Sequence, residues 1–392
     1  MKRVLLTVLS GLVALAGWSR AGEPLDNDAL NAMLKAGFTL KVLEVKFGES
    51  DCQFDTSSAR LIEVHNAAKE GGMSAADIDK LQLMVMQEAK KKEKELSMLA
   101  GQLMNGAINF DKQEYETHMR KVQRKGKSMI PYLMVYIDEE HELKRVAVLD
   151  AMKRLHADNA ETVLAVRLML EDRSKGVRRQ AAETLAEIGT EKIVNEILEE
   201  LDQRKGQFLD GKAFVPGFME YRPAARSLTN LLTRSADPDG RLAAAFSLGR
   251  IHAKDRESVG ALLDAVLDDH DEKLRDVAGL SLAWLRVPQA VPYIRKAYER
   301  YTKGRADVIR HLQYFRTPEA IEFLLTAGDN DDGTVRKSAL ETLRNMTGEA
   351  YETVEEFRSW WQYNKDRPEF VQTPGAGGGA TVTEQPNGAA RP

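Results

Sequence analysis

One cysteine in 392 residues, Cys52, leaves the chain without an internal disulfide and without the thiolates of a cysteine-based zinc site. Prolines number 12 and aromatics make up 7%, which argues against an all-β sandwich. After the first twenty residues no apolar run approaches the ~18 residues that a membrane-spanning helix needs. Charge of one sign is also missing: 56 Lys and Arg face 60 Asp and Glu, a net of −4, so the chain has no general attraction to nucleic acid or an anionic bilayer. What remains is 43% hydrophobic residues, 14 methionines and long Ala/Leu/Glu/Lys/Arg runs, the composition of an all-α protein of two or three units.

Lys2 and Arg3 precede an apolar stretch from Val4 to Trp18, too short to span a bilayer, and Ser19-Arg20-Ala21 supplies small residues where a signal peptidase reads them. This predicts a signal peptide over residues 1–21, cut before Gly22, with an earlier cut after Gly17 as the rival. Loss of Lys2, Arg3 and Arg20 would take the net charge from −4 to −7. Cys52 lies too far along to be the lipidated first residue of a lipoprotein, and its expected state is a buried, inert thiol.

Two similar passages follow, Leu34-Lys35-Ala36-Gly37-Phe38-Thr39 and Ala68-Lys69-Glu70-Gly71-Gly72-Met73-Ser74. Gly37 and Gly72, 35 residues apart, each read as the glycine that ends a helix, followed by an apolar plug and a hydroxyl residue that caps the next helix. With the Phe54-Asp55 pair, this segment resembles a small helical module near the front of many exported bacterial proteins, one with no settled activity. Residues 22–127 are read as this N-terminal module together with a long charged helix. In that helix the apolar stripes Ile78, Leu81, Val85 and Leu96, Leu99, Leu103 are parted by Lys90-Lys91-Lys92-Glu93-Lys94-Glu95. Either the helix leaves the packed body there or its middle turns are solvated. A second basic run, Arg120 to Lys127, sits at a helix end and reads as a solvated face or as a patch for an acidic polymer.

Between residues 128 and 347 one pattern recurs: an apolar residue, a basic residue, two free positions, alanine, three free positions, and usually leucine. It occurs at Leu143-Lys144 (Ala147, Ala151), Val177-Arg178 (Ala181, Leu185), Gly240-Arg241 (Ala244, Leu248), Leu274-Arg275 (Ala278, Leu282) and Val335-Arg336 (Ala339, Leu343). The intervals of 34, 63, 34 and 61 residues correspond to a unit of 30 to 34, with degenerate copies near 208 and near 305. Such a period predicts stacked helical hairpins, each burying its face against the next, with alanine allowing close approach. Six residues before the basic position stand Asp138, Asp172 and Asp269, and Asn330 in the last copy. An acid at that turn is expected to cap the second helix and to pair with the basic residues of its own or the adjacent unit, forming a ladder along the stack.

As a set, these copies resemble the HEAT-repeat family, in particular its phycobilisome-lyase-like form. The Trp, Gly-Tyr and Pro signature of tetratricopeptide repeats is lacking. Thr347-Gly348-Glu349, leading to a helix with Phe357, Trp360 and Trp361 (348–371), is similar to the capping segment of exported HEAT-repeat proteins of Planctomycetes-like bacteria. The tryptophans would plug the last hydrophobic face or form an aromatic ligand platform. Residues 372–392, rich in Gly, Ala, Pro and Thr, are expected to be disordered.

Chemistry-bearing patterns are few. The seven histidines form no two-histidine helical zinc motif, and neither a GxSxG elbow nor a Walker loop occurs. Deoxyhypusine hydroxylase, a HEAT-like enzyme that binds two irons through several His-Glu dipeptides, is matched here only by His141-Glu142. The sharpest departure from the repeat runs from Arg204 to Arg222, where Gly206, Gly211, Gly217 and Pro216 predict a loop or small β-hairpin projecting from the stack. Phe208, Phe214, Phe218 and Tyr221 within it are the candidate partner-binding residues, with folding back over neighbouring helices as the packing alternative.

The sequence therefore predicts an all-α solenoid of HEAT-like hairpins with an N-terminal module and a tryptophan-bearing cap helix, exported to the periplasm or secreted. A non-enzymatic scaffold for a protein partner is the expected role, with no cofactor, no metal, no catalytic residue and no nucleic-acid partner. The alternatives are a binder of an anionic cell-envelope polymer, or an enzyme whose residues converge only in three dimensions. Intact-mass analysis of protein from its native host should show a chain beginning at Gly22; a full-length species in the cytoplasm would refute the leader.

Overall fold

The computed structural model describes residues 25–204 and 206–367. The predicted leader and the predicted disordered tail lie outside these residues. The described residues are almost wholly helical and divide into two compact units at Ala151/Met152.

In the first unit, β1 (Leu25–Asp26) pairs in parallel with β2 (Cys52–Gln53). Around them lie α1 (Asn27–Lys35), α2 (Leu40–Glu49), α3 (Ser58–Glu70) and α4 (Ala75–Ile108). Both predicted glycine turns form. Gly37 and Gly72 take φ of 78° and 81°, and the following residue closes each turn: Phe38 N–H donates to Met33 O, and Met73 N–H donates to Ala68 O. Ser74 caps α4 by accepting from Asp77 N–H, whereas Thr39 makes no side-chain cap to α2. Asn27 is buried and bridges the two halves, donating to Asp55 O and accepting from Asp55 N–H.

The 34-residue α4 stays helical through its basic middle because Lys92 pairs with Asp51 there, while its two apolar stripes are buried. Burial alone would raise the Asp51 carboxyl, but Lys92 and Lys125 outweigh it and hold it below the usual carboxylate range. The second basic run ends α5 (Lys112–Lys125) at Gly126, and Lys125 pairs with Glu95 at 2.9 Å. After α6 (Ile130–Met134), α7 (Glu142–Arg154) crosses the division between the units. Cys52 is buried, its thiol donating to Phe47 O and Ser50 O, and burial with Glu88 and Asp51 nearby pushes the thiol up to about 11.

The second unit is a stack of hairpins. Leading helices α8 (Ala160–Leu168), α10 (Glu191–Asp202), α12 (Ala225–Arg234), α14 (Arg256–Asp268), α16 (Ala290–Arg300), α18 (Pro318–Ala327) and α20 (Val354–Asn364) alternate with trailing helices. The trailing helices are α9 (Lys175–Ile188), α11 (Asp210–Phe218), α13 (Pro238–Arg250), α15 (Glu272–Leu285), α17 (Arg305–Arg310) and α19 (Gly333–Thr347). Each trailing helix packs on the next, and from α10 to α20 each leading helix does the same, giving two layers.

The predicted alanines Ala181, Ala244, Ala278 and Ala339 are fully buried. Serines bridge the trailing row: Ser247 Oγ donates to Ala213 O at 2.7 Å, Ser281 Oγ to Ala245 O at 2.8 Å, and Ser338 Oγ to Ala306 O at 2.6 Å. At the end of the stack Phe357, Trp360 and Trp361 of α20 are all buried, and Trp360 donates to Glu349 at 3.1 Å. Thr353 and Glu356 form a capping box that starts this helix.

The repeat's basic residue works differently from its expected role. Its guanidinium donates to the main-chain carbonyl six residues earlier: Arg178 to Asp172 O, Arg241 to Ser235 O, Arg275 to Asp269 O and Arg336 to Asn330 O. The side chain at that earlier position accepts from the N–H two residues on, as in Asp172/Ser174, Asp269/Asp271 and Asn330/Asp332. The helix is capped by the later residue, Ser174, Asp271 or Asp332, so the acid shapes the turn and its neighbour caps. The expected pairing with the adjacent unit does form between Arg241 and Asp269, whereas Arg178 pairs with Asp210, which the repeat pattern did not single out. The first copy is also corrected by one residue. Buried Arg145 donates to Glu139 O and Glu140 O and fills the arginine position, while Lys144 pairs with the Glu139 carboxylate.

Arg178 and Asp210 are 1% and 6% exposed and meet through two hydrogen bonds of 2.7 and 2.9 Å. Arg178→Ala would strand a buried carboxylate and should lower unfolding stability by about 3–5 kcal/mol, with an Arg178→Met/Asp210→Leu double variant recovering much of the loss in a denaturant titration. Cys52 should resist a thiol reagent such as dithionitrobenzoate in the folded protein and react once the chain is denatured; equal rates in both states would place it at the surface.

Candidate functional site

The segment from 204 to 222 does not project as a loop or hairpin. Residues Asp210–Phe218 form α11, a buried trailing helix in register with the stack. The glycines that argued against a helix serve its packing. A Cβ at Gly211 would come within 2.8 Å of Leu170 O, and one at Gly217 within 2.3 Å of Ser247 Oγ, so glycine is what lets α11 approach its neighbours. Pro216 removes one donor near the end of a nine-residue helix whose burial outweighs that loss. Gly206 is the turn residue, at φ 101°.

The lead into α11 is tied down as well. Glu171 accepts from the N–H groups of Gln207 and Phe208, at 3.0 and 3.3 Å, and pairs with buried Lys212 at 2.6 Å. Lys212 also pairs with Glu200 at 2.9 Å, and Glu200 pairs with Arg167 at 2.6 Å. Burial pushes the Glu200 carboxyl up, but Lys212 and Arg167 overcome this and hold it below the usual range.

The four candidate residues do not converge. Phe208 lies under the Arg178 guanidinium, 4.1 Å from its ring centroid, at the start of α11. Tyr221, past the other end, donates to Asn195 Oδ1 at 2.9 Å. Phe214 is buried and Phe218 half-buried, and these two belong to an aromatic row. Phe214 stacks on Phe218 at 5.8 Å, both meet Phe246 of α13 at 5.5 and 5.7 Å, and Phe246 meets Trp284 of α15 edge-on at 5.6 Å. Arg179 of α9 places its guanidinium 5.6 and 5.8 Å from the rings of Phe214 and Phe246. Phe218, Phe246 and Trp284 are each half-buried, so the row presents ring surface along three consecutive trailing helices.

Phe246 and Trp284 lie in recognised copies but outside the fixed positions of the pattern, and the copy that would have set Phe218 in line with them was missed near 208. The lost signal is Gly211-Lys212 followed by Val215 and Met219, with glycine in the apolar position, as in Gly240-Arg241. Gly304-Arg305 with Val308 and Leu312 is the other degenerate copy. Both preserve the spacing once valine is admitted for alanine.

Among the described residues no group of three or more His, Cys, Asp or Glu side chains is placed to hold a metal ion, and no helix is long and apolar enough to cross a membrane. His311 is buried and bonds Asp276 at 2.7 Å, and His156 pairs with Glu187 at 3.1 Å. The arrangement is a row of apolar ring faces bordered by a cation.

Residues 225–303 match the family model of HEAT repeats, and residues 177–203 match that of the PBS lyase HEAT-like repeat. No curated protein matches the chain. Among solved structures, human deoxyhypusine hydroxylase is 17% identical, covering 66% of this chain and 97% of its own, with a TM-score of 0.29. An engineered protein is 17% identical over 87% of this chain and 94% of its own, with a TM-score of 0.32. A designed armadillo repeat protein is 19% identical over 64% of this chain and 100% of its own, with a TM-score of 0.22. The second unit is a helical solenoid, and within it residues 177–203 and 225–303 are similar to HEAT repeats.

Proposed function

We propose that the chain is an exported, non-catalytic HEAT-repeat scaffold that binds a partner protein across the trailing-helix row. The observation that carries this reading is the row of half-buried rings, Phe218, Phe246 and Trp284, set on three helices and bordered by the exposed Arg179. Aromatic and arginine side chains on a rigid framework are the residue types that dominate protein interfaces, because they bury much area at little entropic cost. Their spacing along consecutive repeats suits an extended partner surface rather than a compact substrate. Export rests on the residues read as a leader, and it places the partner in the periplasm or outside the cell.

The test is affinity capture from envelope extracts of the native host with the wild-type chain as bait, followed by binding measurements on the captured protein. Phe218→Ser/Phe246→Ser and, separately, Arg179→Glu should each weaken that binding at least ten-fold while the far-ultraviolet circular dichroism stays helical. Arg179→Glu changes an exposed side chain and leaves the core untouched, so unchanged affinity in that variant together with full binding by the serine variant would move the interface elsewhere.

A further inference from the structure

Three consecutive trailing helices end in the same way. Helices α11, α13 and α15 each close with the same turn, in which the residue after the turn donates back to a carbonyl five residues earlier: Tyr221 to Pro216, Ala253 to Leu248 and Val287 to Leu282. The residue at the turn itself takes a positive φ, 53° at Glu220, 55° at His252 and 54° at Arg286. Glycine adopts this conformation without steric cost, and the chain uses glycine for it at Gly37, Gly72 and Gly348. In three consecutive hairpins, as at His156 after α7, it keeps a charged or titratable side chain instead, and the three from the hairpins are the ones that come together.

These three side chains line one cleft of about 300 Å³, together with Arg250, Trp284 and Tyr314. Gly249 and Ala283 also line the cleft, leaving room between the larger side chains. Tyr314 is 50% exposed. Glu220 pairs with Arg250 at 2.9 Å, while the Nε donor of Arg250 is buried without an acceptor. The side chains of Arg286 and His252 make no hydrogen bond or ion pair with any described residue. A cation near a helix C-terminus is favourable for the helix itself, which accounts for an Arg or His there but not for a side chain in place of glycine at the positive-φ position.

We infer that this cleft is a binding site for a carboxylate carried on an aromatic body, with the guanidinium of Arg286 and the imidazole of His252 receiving the carboxylate and Trp284 and Tyr314 receiving the ring. Two arginines against one glutamate leave the cleft with a single excess positive charge when histidine is neutral, which matches a monoanion. A dianionic phosphate would bring a second negative charge beside Glu220 that the single excess cation does not balance. The volume suits one ring with its acid group, at the lower end of ligand-pocket sizes. The carboxylate has two sources, a free aromatic acid or the terminal residue of a polypeptide. The cleft shares Trp284 with the partner-binding row, whereas Phe218, Phe246 and Arg179 do not line it, and its test acts on Arg286 alone.

The probes are 3-phenylpropionate, the peptide acetyl-Ala-Ala-Phe with a free carboxylate, and the same peptide amidated, each titrated against the wild-type chain by calorimetry. At least one carboxylate probe should bind ten-fold or more tightly than the amide. A tighter peptide identifies a chain end as the source, and equal affinities identify a free acid. Arg286→Gly is the decisive variant, because it relieves the backbone and removes the cation at once. It should raise the melting temperature and weaken carboxylate binding at least ten-fold. Failure of both carboxylate probes to bind, an amide that binds as well as the acid, or unchanged affinity in Arg286→Gly would each overturn the site.

Discussion

The close approach of successive trailing helices is the constraint from which the second unit follows. A helix of six to fifteen residues is marginal in water, and those here persist because neighbouring helices cover their faces. Alanine, glycine and serine permit that contact, and the serine hydroxyls use it by donating to carbonyls of the preceding trailing helix. The same constraint explains α11, where glycines and a proline lie inside a helix that intrinsic propensity would disfavour. There the gain from fitting two backbones together exceeds the propensity loss of Gly211 and Gly217.

The repeated arginine sets the turns between hairpins. Its guanidinium gathers a carbonyl six residues earlier, a group that helix geometry leaves unsatisfied at the end of the leading helix, and thereby holds the angle at which the trailing helix begins. The same geometry has different worth along the stack. Arg178 is sealed between Asp210 and Phe208, so its charge is fully desolvated, whereas Arg336 makes its carbonyl bonds in solvent. The same interaction is therefore buried in the first hairpin and solvated in the last, where buried tryptophans close the final face.

Rigid rows of this kind also place side chains at regular intervals on a surface. The aromatic row runs across α11, α13 and α15, and the cleft at the C-terminal ends of those helices collects residues held in a conformation that glycine would adopt more cheaply. The two features share helices and differ in character: one is a run of ring faces, the other a compact group of cations and aromatics.

Much of the fold was legible from residue order alone, because the signals are local. Glycine turns at Gly37 and Gly72, the alanine-leucine spacing, the inert Cys52 and the tryptophan-bearing cap helix each depend on neighbours within a few turns of chain, and periodicity alone implied stacking. What only the tertiary structure decided depends on residues brought together from different hairpins. Gly211 and Gly217 read as breakers until Leu170 and Ser247 are seen pressed against them. Arg178 finds Asp210 rather than the Asp172 carboxylate, because Asp210 lies on the adjacent trailing helix while Asp172 offers its carbonyl. Phe208 and Tyr221, thirteen residues apart, end on opposite ends of a helix, and Trp284, distant in sequence, joins the row begun by Phe218. Local chemistry specifies which helices form and where they stop, but the environment of a side chain is set by the neighbouring repeat, and that depends on how closely two backbones can approach.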